Sequence, residues 1–449
     1  MIKTDILIVG GNVAGSAASI TARRHFPEKE TILLRQETKA PIPCGIPYIY
    51  GTLGSVDKDH RPDGMLEKEG VRFIFEKAEA LDLSRHTVRT TGGEISYDRL
   101  VLATGSLPAH VPIPGADKEG VFSIYKDVVI LGDLQLQLQA ATHVVVIGGG
   151  YIGVEFADEI QKMGGKTVTI VEVMSHCMGL ALDEEFCTEI EAVLQKRGVH
   201  IRTRTKVMEI QGDKRVKGVR LDDGTIIPAD VVILSVGAVP NIELAKASGL
   251  KLGPTGAIAV DRTMETSSKH VFACGDCAEK VSFFDGHPST IRLATVGAME
   301  ARIAGANLYR TRRENIGTVG VSATTVGGLV VAVAGLTEST AKQNGWDVVS
   351  GMVEGPNRHP GTMPGSAMTR LKLVFDRKTG TLLGGQARGN ESVGEMINIV
   401  SGCIQQRMSA DAIAAFQVST HPTLTASPGT YHLMNAAEMA IIQMRKEGI

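Results

Sequence analysis

Short apolar runs, each broken by glycines, recur along this chain. Ile6-Leu7-Ile8-Val9 runs into Gly10-Gly11-Asn12-Val13-Ala14-Gly15 and then an alanine-rich stretch of helical character. Val144-Val145-Val146-Ile147 runs into Gly148-Gly149-Gly150-Tyr151-Ile152-Gly153, again followed by a helical stretch. A four-residue apolar run bounded by turn residues reads as a buried strand of a parallel sheet. Each segment closes on a second apolar run followed by glycine and proline: Leu100 to Pro108 through Thr104-Gly105, and Val231 to Pro240 through Gly237. The closing glycines lie 95 and 89 residues after the opening ones (10 to 105, 148 to 237). The repeat predicts two tandem α/β units of the dinucleotide-binding type.

Beyond about residue 320 the texture changes. Thr318 to Ala334 is rich in Val and Thr and reads as strand. Leu371 to Leu383 reads as a hairpin turning at Lys378-Thr379-Gly380. Glu395 to Phe416 carries Ile397, Val400, Ile404 and Met408 about one helical turn apart. A separate α+β domain is predicted there.

The second glycine loop has the full context that phosphate binding needs. Gly148-x-Gly150-x-x-Gly153 follows a strand and opens a helix, so the pyrophosphate can approach backbone N–H groups at the helix N-terminus. The next strand, Thr167 to Val171, ends at Glu172, where a carboxylate would hold a ribose 2′-hydroxyl. Glu172 would repel a 2′-phosphate, and no Arg follows in Val173-Met174-Ser175, so NAD(H) is expected rather than NADP(H). In the first loop Asn12 replaces the middle glycine, and the second strand runs into Arg35-Gln36, with Glu37 the nearest carboxylate. Gly275-Asp276, after the short strand Val271-Phe272-Ala273, supplies an acid suited to a flavin's ribityl-pyrophosphate; the bland reading of Asp276 is an ordinary turn residue.

Composition narrows the function. The 449 residues suggest about three domains at ~150 residues each. Lys plus Arg number 47 and Asp plus Glu 49, a net charge of −2 that argues against a nucleic-acid partner. The longest apolar stretches, such as Leu329 to Val333, fall far short of the ~20 residues of a membrane span. The N-terminal run breaks at Gly10-Gly11 and reads as a strand rather than a secretory segment, so a cytoplasmic location is expected. The six cysteines are scattered, which argues against a disulfide framework. Cys274 and Cys277 form a CxxC without two further zinc ligands at suitable spacing, so no metal site is expected and packing roles are. Cys44 lies in Pro41-Ile42-Pro43-Cys44-Gly45-Ile46-Pro47-Tyr48, where the prolines fix an extended approach and a helix can begin at or just after the thiol. A helix N-terminus stabilises a thiolate; the alternative is a buried, inert cysteine.

From end to end the chain resembles the single-cysteine branch of the pyridine nucleotide-disulfide oxidoreductase family, which holds coenzyme A-disulfide reductases, persulfide or polysulfide reductases, NADH oxidases and NADH peroxidases. The resemblance is carried by the Gly10–Gly15 loop, Cys44 to Tyr48, Ala103-Thr104-Gly105, the Gly148–Glu155 run and Phe272 to Asp276. It implies an FAD domain (1–115 and 245–322) around an NAD domain (116–244), and a C-terminal dimerisation domain (323–449). It implies a homodimer with FAD and NAD(H), in which Cys44 is the redox-active cysteine beside the flavin. Gly10, Gly11, Asn12, Ala14, Gly15, Pro43, Thr104, Gly105, Gly275 and Asp276 would surround FAD, with Arg35 or Glu37 at its adenosine ribose. Gly148, Gly150, Tyr151, Ile152, Gly153, Glu172 and Gly237 would bind the second dinucleotide, with Tyr151 near the nicotinamide. Arg23 and Arg24 correspond to a coenzyme A contact in relatives, or else form a solvated face; Tyr48 belongs to the same substrate side. His421, in His421-Pro422-Thr423, would approach the partner subunit's flavin or be merely exposed.

The expected reaction moves electrons from NADH through flavin and Cys44 to a small disulfide, coenzyme A disulfide or persulfide. Oxidases and peroxidases of the family usually carry a His in the first glycine loop; here Asn12-Val13-Ala14 stands there and no His precedes His25. An NADH oxidase is the runner-up, and an electron-transfer subunit of a larger redox complex is a reading from another class. The chain ends at Ile449, so no appended sulfur-transfer domain is expected.

Overall fold

The computed structural model describes residues 1–446. Two compact units emerge: Met1–Thr142 with Gly212–Val216 and Asp230–Thr318, and His143–Gln211 with Lys217–Ala229 and Val319 onward.

The first unit is built on a seven-stranded sheet. Val71–Phe75, Thr31–Arg35, Ile2–Val9 and Gly93–Leu102 lie side by side in parallel, and Val271–Ala273 also pairs in parallel with Gly93–Leu102. Thr87–Thr90 and Ala78–Asp82 continue it in antiparallel fashion. Strands covered on both faces must be apolar throughout, and Ile6, Leu7, Ile8, Ile32, Leu33, Leu100 and Val101 are fully buried. Each such side chain contributes roughly 1.5–3 kcal/mol. The helix Val13–His25 follows the first strand, buries only small residues, Gly15, Ser16, Ala18, Ser19 and Ala22, and packs on the helix Ala294–Asn307. The two closing runs meet here as well. Ser106–Pro108 pairs antiparallel with Ala238–Pro240, and Thr104 Oγ1 donates to the Asn241 carbonyl at 2.6 Å.

In the second unit His143–Ile147, Thr167–Val171 and His200–Arg202 are parallel neighbours, with the helix Tyr151–Lys162 after the first of them. Its other part is a five-stranded antiparallel sheet in the order Val321–Val326, Leu329–Gly335, Leu382–Gly389, Met368–Asp376, Val348–Pro356. The helices Ser392–Gln405 and His432–Lys446 pack on it.

The expected hairpin around Lys378-Thr379-Gly380 is present, and Thr318 to Ala334 forms a hairpin of its own through Gly327-Gly328. Three expectations change. The boundary drawn at 322/323 falls inside the strand Val321–Val326, and that at 244/245 inside the helical turn Glu243–Ala247. Neither site carries a Gly or Pro to interrupt the element. The stripe ending in Met408 is broken: Ile397, Val400 and Ile404 are buried on one helix, but that helix stops at Gln405, and Arg407 takes a left-handed φ of +50°.

Candidate active site

The first glycine loop is tight because backbone passes close to it. Gly10 has φ +110°, and a Cβ there would collide with the Ala103 carbonyl, as one on Gly15 would with the Gly10 carbonyl. Asn12 caps the following helix, accepting the Val13 N–H at 2.9 Å, and donates through Nδ2 to the Pro41 carbonyl at 3.1 Å. Thus the residue in place of a glycine ties the loop to the segment that carries Cys44. Arg35, at the end of the second strand, lies directly over Gly11. Asp63 holds its guanidinium at 2.5 and 3.0 Å, and the rings of Phe73 and Phe75 flank it at 5.1 and 5.2 Å. Glu37 is half-buried two residues further on. Arg61 also reaches the loop, donating to the Gly11 carbonyl at 3.2 Å and to Ser16 Oγ. The Nε atoms of Arg35 and Arg61 are buried and find no hydrogen-bond acceptor among the described residues.

Cys44 is exposed, whereas the other five cysteines are buried. The helix expected at or just after the thiol is only a short one: Pro43–Gly45 forms a single 3₁₀ turn closed by Gly45 N–H to the Ile42 carbonyl at 2.8 Å, and a second short helical turn follows at Ile49–Leu53. Pro47 has no N–H to extend the first turn, so Cys44 does not sit at the end of an aligned helix dipole. Tyr48 is half-buried just before the second turn. Behind Gly45 stands Asp59, only 2% exposed, whose carboxylate a Cβ on Gly45 would strike. Its Oδ2 has no hydrogen-bond partner among the described residues. Burial pushes the Asp59 carboxyl up to about 6, against the pull of neighbouring His60.

The Gly275-Asp276 loop is clamped from inside. Gly275 adopts φ +80°, a conformation that favours glycine. Glu300 accepts its N–H at 2.9 Å, and Lys280 donates to its carbonyl at 2.7 Å and to the Ala278 carbonyl at 3.0 Å. Lys280 and Glu300, 2% and 0% exposed by side chain, meet at 3.2 Å. Burial lifts the Glu300 carboxyl to about 7, with Lys280 opposing the shift. Asp276, so presented, accepts from Ser106 Oγ at 2.7 Å and lies 3.6 Å from Lys126 Nζ. Cys274 and Cys277 are fully buried beneath this loop.

The second glycine loop repeats the first: Gly148 has φ +101°, and Gly150 caps the helix that opens with Tyr151, exposed Ile152 and buried Gly153. Glu172 is brought against the loop, accepting the N–H groups of Gly149 at 2.6 Å and Met174 at 2.8 Å. Tyr151 Oη lies 2.6 Å from Ser322 Oγ, and Thr324 Oγ1 donates to Glu155 Oε1 at 2.5 Å. Gly105 and Gly237 lie in the paired closing runs, where the Gly237 carbonyl accepts the Ala109 N–H at 3.0 Å.

Three further candidates remain. Arg23 is tied down by the backbone carbonyls of Glu69, Pro27 and Lys29, and Arg24 pairs with Glu69 at the surface. His421 is exposed in a turn whose Thr423 N–H and hydroxyl meet its Nδ1 at 3.3 and 2.9 Å, which leaves the proton of the neutral ring on Nε2.

Comparison with known proteins decides the lineage. The pyridine nucleotide-disulphide oxidoreductase family matches residues 4–301, and its dimerisation domain residues 321–431. An NAD(P)H coenzyme A polysulfide/persulfide reductase of Pyrococcus horikoshii is 33% identical over 398 residues, 87% of this chain and 88% of that one. The chain belongs to the pyridine nucleotide-disulfide oxidoreductase family. Among solved structures, the NAD-dependent persulfide reductase from A. fulgidus superposes with TM-score 0.90 at 29% identity, over 99% of this chain and 84% of that one. The water-forming NADH oxidase from Lactobacillus brevis bound to NADH gives 0.89 at 26% identity, over 99% of both chains. The protein is therefore an NAD(P)H oxidoreductase of two Rossmann-type halves and a dimerisation domain.

The cofactors of this oxidoreductase family are FAD and NAD(P)H, and the first unit fits a flavin dinucleotide. Its glycine loop offers a helix N-terminus beside the guanidinium groups of buried Arg35 and half-buried Arg61, whose Nε atoms lack acceptors among the described residues and could face an anionic pyrophosphate. Sequence reasoning missed Arg61, Asp63 and Glu300, because each lies far along the chain from its partner, and Lys280, whose side chain turns back onto its own loop five residues away. Nor did it find Asp59, Ser322 or Thr324. Arg61 alone carried a signal, as a basic residue shortly after the Cys44 segment.

Proposed function

We propose that this protein reduces the sulfur–sulfur bond of a small disulfide or persulfide, coenzyme A derivatives among them, with NADH as donor and Cys44 as nucleophile. The observation that carries the reading is the Asn12–Pro41 hydrogen bond, which fastens the exposed Cys44 turn to the first glycine loop. Gly10, Gly11, Asn12, Ala14, Gly15, Arg35, Arg61, Thr104, Gly105 and Asp276 would hold FAD. Gly148, Gly150, Tyr151, Ile152, Gly153 and Glu172 would hold NADH, the Glu172 carboxylate disfavouring a 2′-phosphate. Bound FAD would supply the two-electron relay between nicotinamide and sulfur.

The chain's own chemistry is at Cys44. Its thiolate attacks one sulfur of the acceptor, the acceptor S–S bond breaks, and a mixed disulfide or Cys44 persulfide forms as the second sulfur leaves as thiolate. Two electrons cleave the new S–S bond and restore the Cys44 thiolate; protons from solvent complete the thiol or hydrosulfide products. Asn12 already uses its side chain to cap the helix and hold Pro41, so the loop presents an amide where related oxidases carry an imidazole. This favours sulfur over oxygen as acceptor. The reading includes a cytoplasmic homodimer assembled through the dimerisation domain, with His421 and Tyr48 lining the acceptor side.

Cys44→Ser tests it. In anaerobic stopped flow, flavin bleaching by NADH should persist, while turnover with coenzyme A disulfide and polysulfide should fall by at least about a hundredfold. Wild-type turnover with every sulfur acceptor in the variant would reduce Cys44 to a packing residue. Oxygen consumption faster than sulfur turnover in the unmodified enzyme would favour the oxidase.

A further inference from the structure

Two hydroxyl groups of the dimerisation domain reach into the coenzyme half of the second unit. Ser322 and Thr324 are alternate residues of the strand Val321–Val326, so they share one face about 6.6 Å apart. Tyr151 and Glu155 are four residues apart on the helix Tyr151–Lys162, sharing one face about 6 Å apart. The spacings match, and both pairs close: Tyr151 Oη to Ser322 Oγ at 2.6 Å, and Thr324 Oγ1 to Glu155 Oε1 at 2.5 Å. Tyr151 is the first residue after the Gly148–Gly150 loop, so whatever fixes its ring fixes the mouth of that loop. The helix face involved is half-buried, and burial pushes the Tyr151 hydroxyl up to about 12 and the Glu155 carboxyl up to about 7. Around neutrality Tyr151 therefore holds its partner as a neutral hydrogen-bonding group, sensitive to loss of that partner.

We propose that Ser322 and Thr324 are positioning residues for the coenzyme: the dimerisation domain sets the orientation of Tyr151 and Glu155, and through them the binding and reactivity of the nicotinamide. The inference rests on the reading that Tyr151 lies at the nicotinamide. It assigns the first strand of the dimerisation domain a part in every NADH half-reaction, beyond any part in assembly.

The test is a double-mutant cycle on holoenzyme, with NADH as probe and rapid-reaction flavin reduction as readout. Ser322→Ala should raise the apparent NADH Kd or lower the limiting reduction rate by about fivefold, with FAD content, Tm and dimerisation unchanged. Ser322→Thr, which keeps the hydroxyl, should restore most of the loss. Tyr151→Phe should produce a loss of similar size, and adding Ser322→Ala to it should cost nothing further. Thr324→Val should act likewise through Glu155. Additive effects, or an effect of Tyr151→Phe with none of Ser322→Ala, would overturn the positioning role. A Tyr151→Phe enzyme with unaltered NADH kinetics would instead overturn the placement of Tyr151 at the nicotinamide, and the inference with it.

Discussion

Asp59 shows how a single residue can record the demands of a site. A carboxyl group 2% exposed, with one oxygen unpartnered among the described residues, is costly when ionised, and its proton is held up to about 6. Because the folded value lies above the ordinary one of 3.8, the stability that the protonated form gives is complete below pH 4 and is lost as pH rises through 6. Asp59→Asn removes the titration. We expect its Tm to exceed that of the parent at pH 8, by the equivalent of about 3 kcal/mol, and the difference to shrink towards pH 4. Equal pH profiles for the two proteins would show that Asp59 is ionised and satisfied. Glu172 carries the second residue-scale prediction. Its carboxylate lies against the loop, held by two backbone N–H groups. The parent enzyme should show a kcat/KM for NADH well above that for NADPH. Glu172→Ser should lower NADH efficiency about tenfold and raise the NADPH-to-NADH ratio. A parent enzyme that prefers NADPH would refute the role given to this carboxylate.

Between elements, one buried cation does most to unite the second unit. Lys372, on the strand Met368–Asp376, lies 3.0 Å from Asp183, 2.6 Å from Glu185 and 2.9 Å from Glu338. Asp183 immediately precedes the helix Glu184–Lys196 of the coenzyme half, and also accepts from Gln386 Nε2 at 2.6 Å and Ser339 N–H at 3.0 Å. Burial alone would raise the Asp183 carboxyl, but Ser339 and Lys372 outweigh it and hold it down at about 2; Glu338 is held equally low by Lys342 and Lys372. Removing the cation leaves these acids together without their counter-charge. Lys372→Met should therefore destabilise by about 3–5 kcal/mol, and adding Asp183→Asn should recover part of the loss in urea titration. In the parent, the stability given by these depressed carboxyls is present above pH 4 and lost as pH falls towards 2. A Lys372→Met protein as stable as the parent would mean that the cluster contributes nothing to the fold.

For the whole molecule, the question is assembly and membrane contact. No helix among the described residues is long and apolar enough to cross a membrane. The match to a dimerisation domain over residues 321–431, with Met352 and Met368 exposed on its strands and Met439 on the helix that follows it, leads us to expect a dimer in solution. Light scattering at micromolar concentration should give about twice the 47.7 kDa of one chain. A fully active species of single-chain mass would remove the need for a partner.

The two dinucleotide-binding halves were legible because their chemistry is local. A strand, a glycine turn and a helix N-terminus follow one another within about fifteen residues, and Gly10 and Gly148 take the same left-handed turn wherever the surrounding chain goes. Cys44 and Asp276 were singled out by short motifs that match the family's pattern, and the structure puts Cys44 on an exposed turn and Asp276 on the Gly275 loop. The structure alone decided what comes from afar. It placed Arg61 on a loop 50 residues upstream, and brought Glu300 to the Gly275 N–H from 25 residues downstream. It also carried Ser322 to Tyr151 across 171 residues. No periodicity encodes such pairs, because each partner satisfies its own local pattern and the contact is made only when sheets and helices pack. The Cys44 segment starts only a short helical turn, for a related reason. The motif fixed its prolines, but its actual shape answered to the Asp59 carboxyl behind Gly45 and to Asn12 holding Pro41.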